Sequence, residues 1–274
     1  MTGYDIIGDI HGHATALERL LDKLGYSTDG ERKPSDRKII FLGDFIDRGS
    51  ENKRVVTLVR NLIKKGIAEA VMGNHEYNAI CYYTKDPEGK YLREHSDKNK
   101  TQHQTFLDEY EGTDELEETI EWFKTLPLFI EKDGIRLVHA CWDQAVIDDL
   151  RKELGPAHLL DAKFLRASSI KDSPEYNAIE KILKGPEHPL PEGFSFKDKD
   201  GHDRKDVRIK WWKSDAENLR EVSSVDKDHL DKIPEEPLQL DCIYPKDATP
   251  VFFGHYWMRY GGETVQQNSA CLRV

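Results

Sequence analysis

The sequence predicts an α/β fold in which a largely parallel sheet is flanked by helices. Its first third alternates short apolar runs with helical patterns, and each of the first three runs ends in glycine followed by Asp or Asn: Gly8-Asp9, Gly43-Asp44 and Gly73-Asn74. The intervals are 35 residues from Asp9 to Asp44 and 30 from Asp44 to Asn74. A βαβ unit takes about 30 residues, and single helices between consecutive strands make those strands parallel.

Residues 4–8 (YDIIG) read as a buried strand, and Leu17, Leu20, Leu21 and Leu24 recur at helical spacing after it. Residues 38–42 form the next strand, followed by Val55, Val56, Leu58, Val59, Leu62 and Ile63 on a helix that Gly66 can end. Residues 67–72 are the third strand, leading into a helix over 74–82. Residues 85–104 are polar and aperiodic and read as an exposed insertion. Leu116, Ile120 and Phe123 then make the apolar stripe of an acidic helix capped by Thr113 or Asp114.

Two strands, 126–131 and 135–139, are joined by the turn residues Lys132-Asp133-Gly134 into a hairpin. The accessory region 144–250 carries the weakest pattern. A helix is expected over 174–184, capped by Ser173 with Pro174 in its first turn and ended by Gly185-Pro186. Further strands are expected at 207–212, after Asp200-Gly201, and at 250–254 (PVFFG). The chain stops at a strand-like stretch, 269–274, which leaves open whether it is cut short there.

The length of 274 residues accommodates one large domain or two small ones, and we expect a single domain over 1–274. With 38% hydrophobic and 33% charged residues, the composition is that of a soluble globular protein. No apolar run approaches the roughly 18–20 residues of a membrane span, and MTGYDIIGDIHGH lacks a basic-then-apolar leader, so a cytoplasmic location is expected. Cys81, Cys141, Cys242 and Cys271 form no CxxC pair, which argues against zinc ribbons and disulfide scaffolds. A net charge of -11 weighs against stable binding to nucleic acid.

The polar residues that end the three strands should emerge together at the carboxyl edge of the sheet, where open α/β folds place ligands. His11 lies two residues beyond Asp9, on the same side of an extended chain, and later strands end at His139 and His255. Asp9, His11, Asp44, Asn74, His139 and His255 are mixed oxygen and nitrogen donors, more than one divalent ion takes from protein while keeping water, and they suit two. Taken singly, each is more economically a turn former, a helix cap or a structural histidine. Six at strand ends, beside Asp47, Arg48, His75 and Glu76, change that balance.

GDIHG at 8–12, GDFIDRG at 43–49, GNHE at 73–76, VHA at 138–140 and FGH at 253–255 resemble the ordered motifs of calcineurin-like metallophosphoesterases, in their phosphoprotein phosphatase branch and of bacterial type. The resemblance implies a four-layer α/β/β/α sandwich with two mixed β-sheets. It implies two divalent metals, Mn first and Fe, Zn, Co or Ni also compatible, with Asp9, His11 and Asp44 on one and Asp44, Asn74, His139 and His255 on the other. A water shared between such ions is acidified into a nucleophilic hydroxide. Arg48, with Asn74, would bind phosphate. His75 would protonate the leaving group, Asp47 would orient its ring, and Glu76 would support the loop.

The implied reaction is hydrolysis of a phosphoric ester by a serine/threonine phosphatase-like phosphomonoesterase, acting on a phosphorylated protein or nucleotide. YDIIGDIHGH and LPLFIEKDGIRLVHA are also similar to bacterial hydrolases of dinucleoside polyphosphates such as diadenosine tetraphosphate, and the opening resembles phosphatases of 2',3'-cyclic nucleotides and RNA ends. From another class, a catalytically silent module that binds phosphorylated partners is opposed by the intact ligand set.

Cys141-Trp142 stands where the family carries glycine after VHA, so Trp142 is either a substrate platform or packing. For a second phosphate-binding cation, Lys213 is the first candidate and Arg208 and Lys210 are its rivals. The stretch 197–213, with seven basic and four acidic residues, either lines a path for an anion or is a solvated hairpin. His13, His95, His103, His158, His188, His202 and His229 fall outside the motifs and are read as surface or structural.

Overall fold

The computed structural model describes residues 3–155, 160–197, 203–225, 227–237, 240–256 and 269–271. Its first sheet consists of β1 (Gly3–Ile7), β2 (Arg37–Phe41) and β3 (Ala68–Ala70), in that order and parallel. Helices α1 (Ala14–Leu24) and α2 (Asn52–Lys64) make the crossovers, and α3 (Asn74–Tyr83) leaves β3. Leu17 and Leu21 of α1 and Val55, Val56, Val59 and Leu62 of α2 are buried, a spacing of three and four residues that lays one apolar stripe on the sheet.

Residues 85–104 are not wholly an exposed insertion, because α4 (Asp97–Tyr110) begins inside them. Ser96 caps this helix through the Asn99 N–H, and His103, Phe106, Leu107 and Tyr110 form its buried face. Helix α5 (Glu115–Lys124) follows, with Asp114 at the cap position but making no side-chain cap bond.

Strands β4 (Phe129–Lys132) and β5 (Ile135–Val138) form the expected antiparallel hairpin. The accessory region supplies α6 (Gln144–Leu154), α7 (Ala162–Ser168) and α8 (Pro174–Lys184), with Ser173 accepting the Tyr176 N–H at 3.0 Å as the N-cap of α8. Two small ladders pair β6 (Glu187–Pro189) with β9 (Asp206–Arg208) and β7 (Phe196–Lys197) with β8 (Asp203–Arg204), before the short helices α9 (Leu219–Val222) and α10 (Lys227–Leu230). Finally β10 (Val251–Phe253) pairs in parallel with β5 and with β11 (Ser269–Cys271), giving a mixed sheet of order β11-β10-β5-β4.

The two sheets pack face to face. Ile40, Leu42, Val71 and Leu137, with Ile6, Ile130 and Phe252, form an apolar layer between them. Ile39 and Phe41, on the opposite face of β2, join the helix-side core, as the twofold alternation of a strand requires. Phe129, Val138, Val251 and Phe253 likewise turn to Ile147, Leu150, Ile179 and Ile182 of α6 and α8. The layers are α/β/β/α, with the three-stranded sheet parallel and the four-stranded one mixed.

The strand expected over 207–212 ends at Arg208. Lys213 N–H bonds to Lys210 O, so the chain turns there. Trp211 and Trp212 are both buried, 4.7 and 4.8 Å from the Phe253 ring. A strand would send neighbouring indoles to opposite faces, whereas a turn lets both cover one ring. Trp142 is also a packing residue, fully buried, edge-on to Phe129 and beneath the Arg136 guanidinium. The expected Asp200-Gly201 turn, residues 198–202 of the basic stretch, residues 272–274, His158 and His202 lie outside the described residues.

Candidate active site

The three Gly-Asp/Asn exits and the exits of β5 and β10 meet at one edge of the sandwich. Gly43 has φ +90°, and a Cβ there would lie 2.3 Å from the Gly73 backbone N; one on Gly73 would lie 2.3 Å from the Asp44 backbone N. The second and third of these loops thus touch backbone to backbone. Five non-glycine residues here hold left-handed φ, at His11, Asp44, Asp47, Arg48 and His255, and such strain persists only where the surroundings fix it. Glu76 supplies much of that fixing, accepting the N–H groups of Asp44 at 2.8 Å, Phe45 at 2.8 Å and Gly73 at 3.0 Å.

Asp44 lies at the centre. Its Oδ2 is 3.6 Å from His11 Nε2, 3.4 Å from His139 Nε2 and 3.9 Å from His75 Nε2. Asp9 Oδ2 is 3.9 Å from His11 Nε2, and Asp9 Oδ1 accepts the His255 N–H, tying the two sheets' loops together. Asn74 Oδ1 faces His139 Nε2 at 3.1 Å and His255 Nδ1 at 2.9 Å. Two overlapping donor groups result, His11–Asp44–His75 and Asp44–His139–His255, sharing Asp44. By proximity His75, which the motifs reserve as a proton donor, takes the place in the first group that the motifs give to Asp9.

Ring tautomers test whether these atoms suit a metal. His139 Nδ1 lies 2.7 Å from Leu42 O and His11 Nδ1 lies 3.0 Å from Ile46 O. A carbonyl only accepts, so both Nδ1 atoms carry the hydrogen, and each neutral ring presents a lone pair at Nε2. His11, kept neutral by burial, turns its lone pair to the oxygens of Asp44 and Asp9, acceptor facing acceptor, and its Nε2 is buried without a hydrogen-bond partner; His139 Nε2 faces Asp44 Oδ2 and Asn74 Oδ1 and carries a proton there until a metal displaces it. A cation satisfies all of them, so the residues fit a pair of divalent ions. Both carbonyls belong to the Leu42–Ile46 turn, so the loop that carries Asp44 also sets the two rings.

The electrostatics carry the same demand for positive charge. Burial opposes protonation of His139, yet Asp44 and Asp9 raise its pKa to about 9. Burial lowers His11 to about 4 and holds His255 well below the ordinary range. Burial, then the Asp44 charge, raises Asp9. Asp44 stays well below the carboxylate range despite burial, because His139, His75 and His11 surround it.

At the rim, His75 Nδ1 bonds to Asp47 Oδ2 at 2.6 Å. His103 Nδ1 bonds to the same oxygen at 2.7 Å. Burial disfavours the His75 cation, but Asp44 and the Asp47 bond outweigh it and raise its pKa. Arg48 is exposed, and its charge is felt at both His11 and His75. Among the rival cations, Lys213 turns towards α9, where it meets Glu221 O at 3.3 Å, whereas the Arg208 charge acts on His255 and Tyr256.

Sequence reasoning missed His103 because its stretch was read as coil. The spacing His103, Phe106, Leu107, Tyr110 was the available signal, one helix face running past residue 104. It also put Lys213 first, with Arg208 and Lys210 as rivals, by the position the family gives its arginine; the described structure directs Lys213 towards α9.

The family model of the calcineurin-like phosphoesterases matches residues 4–256. Among curated proteins, a bis(5'-nucleosyl)-tetraphosphatase PrpE [asymmetrical] of Oceanobacillus iheyensis is 30% identical over 138 residues, 50% of this chain and 54% of that protein. Its namesake from Halalkalibacterium halodurans is 43% identical over 74 residues, 26% of this chain and 30% of that protein. The chain thus spans about half or less of the length of these relatives. A protein serine/threonine phosphatase structure from Saccharomyces cerevisiae aligns over 99% of this chain and 67% of its own, with TM-score 0.52 and 14% identity, a likeness of fold. With the motif loops gathered at one sheet edge and the family model running from the first strand to the last histidine, the chain belongs to the calcineurin-like phosphoesterase family.

Proposed function

We propose that this chain is a metal-dependent phosphohydrolase whose substrate is a dinucleoside polyphosphate, cleaved at a phosphoanhydride bond. The observation that supports the hydrolase reading is the gathering of carboxylate, amide and imidazole atoms around Asp44, whose Oδ2 lies 3.6 Å from His11 Nε2 and 3.4 Å from His139 Nε2, with Asn74 Oδ1 3.1 Å from the latter. The substrate class is carried over from the matched bis(5'-nucleosyl)-tetraphosphatase relatives. It replaces, as first reading, the serine/threonine phosphatase-like activity that the motifs alone put ahead.

Divalent ions bound at this site would supply an acidified water and a positive clamp for phosphoryl oxygens. Asp9, His11 and Asp44 would hold one and Asp44, Asn74, His139 and His255 the other. The donors are carboxylate, amide and imidazole, which suits Mn and also Fe, Zn, Co or Ni. The exposed Arg48 offers two parallel N–H donors to a phosphate, and the positive charge of Arg208 is felt at His255. As a water oxygen bonds to phosphorus and gives up a proton to solvent, the P–O bond to the leaving group breaks with its electron pair moving to the leaving oxygen, and protonated His75 gives that oxygen its Nε2 proton.

One observation favours a second reading, a phosphomonoesterase acting on alcohol phosphates. The His75–Asp47 pair is an acid of the kind that an alkoxide leaving group needs, whereas a nucleotide departs as a stable phosphate anion. A panel with Mn²⁺ separates the two, comparing dinucleoside tetraphosphate, phosphopeptides and 2',3'-cyclic nucleotides by kcat/KM. Highest turnover of the tetraphosphate is expected, and preference for phosphopeptides would transfer the assignment to the second reading. Two bound ions with no hydrolysis under any divalent metal would leave a phospho-binding module.

A further inference from the structure

Asp47 is fully buried, and a single oxygen of it receives both histidine rings, His75 Nδ1 at 2.6 Å and His103 Nδ1 at 2.7 Å. A carboxylate oxygen accepts and does not donate, so both rings present N–H to it. The other oxygen, Oδ1, is buried without a hydrogen-bond partner. The Asp47 backbone is pinned separately, with φ 71° and its N–H on Asn52 Oδ1 at 2.7 Å.

His103 reaches Asp47 from 56 residues away on α4 and is 1% exposed. Phe106, Leu107 and Tyr110 anchor the same helix face in the core, so its ring is held from behind. It also lies edge-on to His75, with centroids 6.4 Å apart, and to Tyr82 at 5.7 Å. His103 Nε2 is buried and unpaired, so its Nδ1–H···Asp47 bond is the ring's single hydrogen bond among the described residues.

We propose that His103 is a positioning residue. By bonding Asp47 Oδ2 it fixes the rotation of that carboxylate, which in turn fixes the plane of the His75 ring and aims Nε2 towards the Asp44 side of the site. Without the His103 N–H, the bond from His75 is the one described hydrogen bond left on the Asp47 carboxylate, and ring and carboxylate can turn together about the terminal torsion of Asp47, which has broad wells. His75 then loses aim, while the metal donors, held by separate bonds, keep theirs. The catalytic consequence rests on the proposed role of His75 as proton donor; the geometric consequence does not.

Two readouts on three variants test this. In the metal-free chain, proton NMR should show two strongly downfield ring N–H signals, from His75 and His103, because each bonds a buried carboxylate. His103→Leu should abolish one and move or broaden the His75 signal, and His103→Asn, whose amide nitrogen takes the place of Nδ1, should restore the His75 signal. In the metal-loaded chain, His103→Leu should lower kcat on phenyl or alkyl phosphate by about 10-fold or more, with little change on 4-nitrophenyl phosphate or in metal content, and His103→Asn should recover most of the loss. If His103→Leu does not fold, His103→Gln keeps a polar side chain, moves the donor off the Nδ1 position and is read in the same way. A His75 signal indifferent to His103→Leu, or equal losses on all leaving groups, overturns the positioning role. A native chain inactive on every ester removes the hydrolase reading instead, and the NMR comparison still decides the placement of Asp47.

Discussion

Glu76 Oε2 accepts the Asp44 backbone N–H at 2.8 Å, so a residue outside both donor groups decides where the central carboxylate stands. The same side chain holds Phe45 and Gly73 N–H groups, spanning two loops that approach too closely for any Cβ. Glu76→Gln keeps the shape but replaces one acceptor with an N–H donor, which leaves at least one buried N–H unsatisfied. The expected loss is about 1–3 kcal/mol, read as a lower urea midpoint at unchanged m-value, together with weaker metal retention on dialysis. A variant as stable and metal-retentive as the native chain would show that the loops are held some other way.

Metal uptake should release protons. His139, raised to about 9 by Asp44 and Asp9 against burial, is protonated in the metal-free chain at pH 7. A metal needs its Nε2 lone pair, so binding displaces that proton. Release should fall towards zero from this group as pH rises through 9, and affinity should weaken as pH falls. Calorimetry of Mn²⁺ binding in buffers of different ionisation enthalpy measures the number of protons, and no buffer dependence at pH 7 would contradict the assignment of His139.

Gly43 at φ +90° faces the Gly73 backbone N at 2.3 Å from the position a Cβ would take. Gly43→Ala therefore combines an unfavourable φ with a backbone clash. Strain of the first kind alone costs about 1–3 kcal/mol, and the clash adds to it. The variant should unfold at markedly lower denaturant or fold with its metal site disrupted.

The readable parts of the site were those in which a donor directly follows an apolar strand. Asp9, Asp44 and Asn74 follow strands whose alternation and spacing fix the sheet edge, so their meeting is legible in the sequence. The support for Asp47 is not. His103 is 56 residues away on a helix whose first turn is all polar, so its role depends on tertiary packing with no local pattern. In the region 144–250, paired tryptophans in a turn imitate a strand, which is why the expected strand over 207–212 stops at Arg208.

Arg48 differs from Lys in offering a planar fork to phosphate, and its exposure lets substrate reach it. Arg48→Lys keeps the charge but loses one of two parallel bonds. A fall in kcat/KM of about 10-fold is expected, equivalent to about 1.4 kcal/mol, with unchanged stability. An unaltered kcat/KM would remove Arg48 from the phosphate site.

His75→Ala separates metal binding from proton transfer. Asp9, His11, Asp44, Asn74, His139 and His255 remain, with His11 and His139 still set by Ile46 O and Leu42 O, so two ions per chain should be retained by metal analysis. Turnover of esters with poor leaving groups should fall by roughly 10²–10⁴, while 4-nitrophenyl phosphate, whose leaving group needs little protonation, should lose far less. Loss of metal in step with activity would instead place His75 among the ligands, as its 3.9 Å approach to Asp44 Oδ2 allows. The leaving-group slope and the metal count therefore decide between the two donor sets that the geometry brings together.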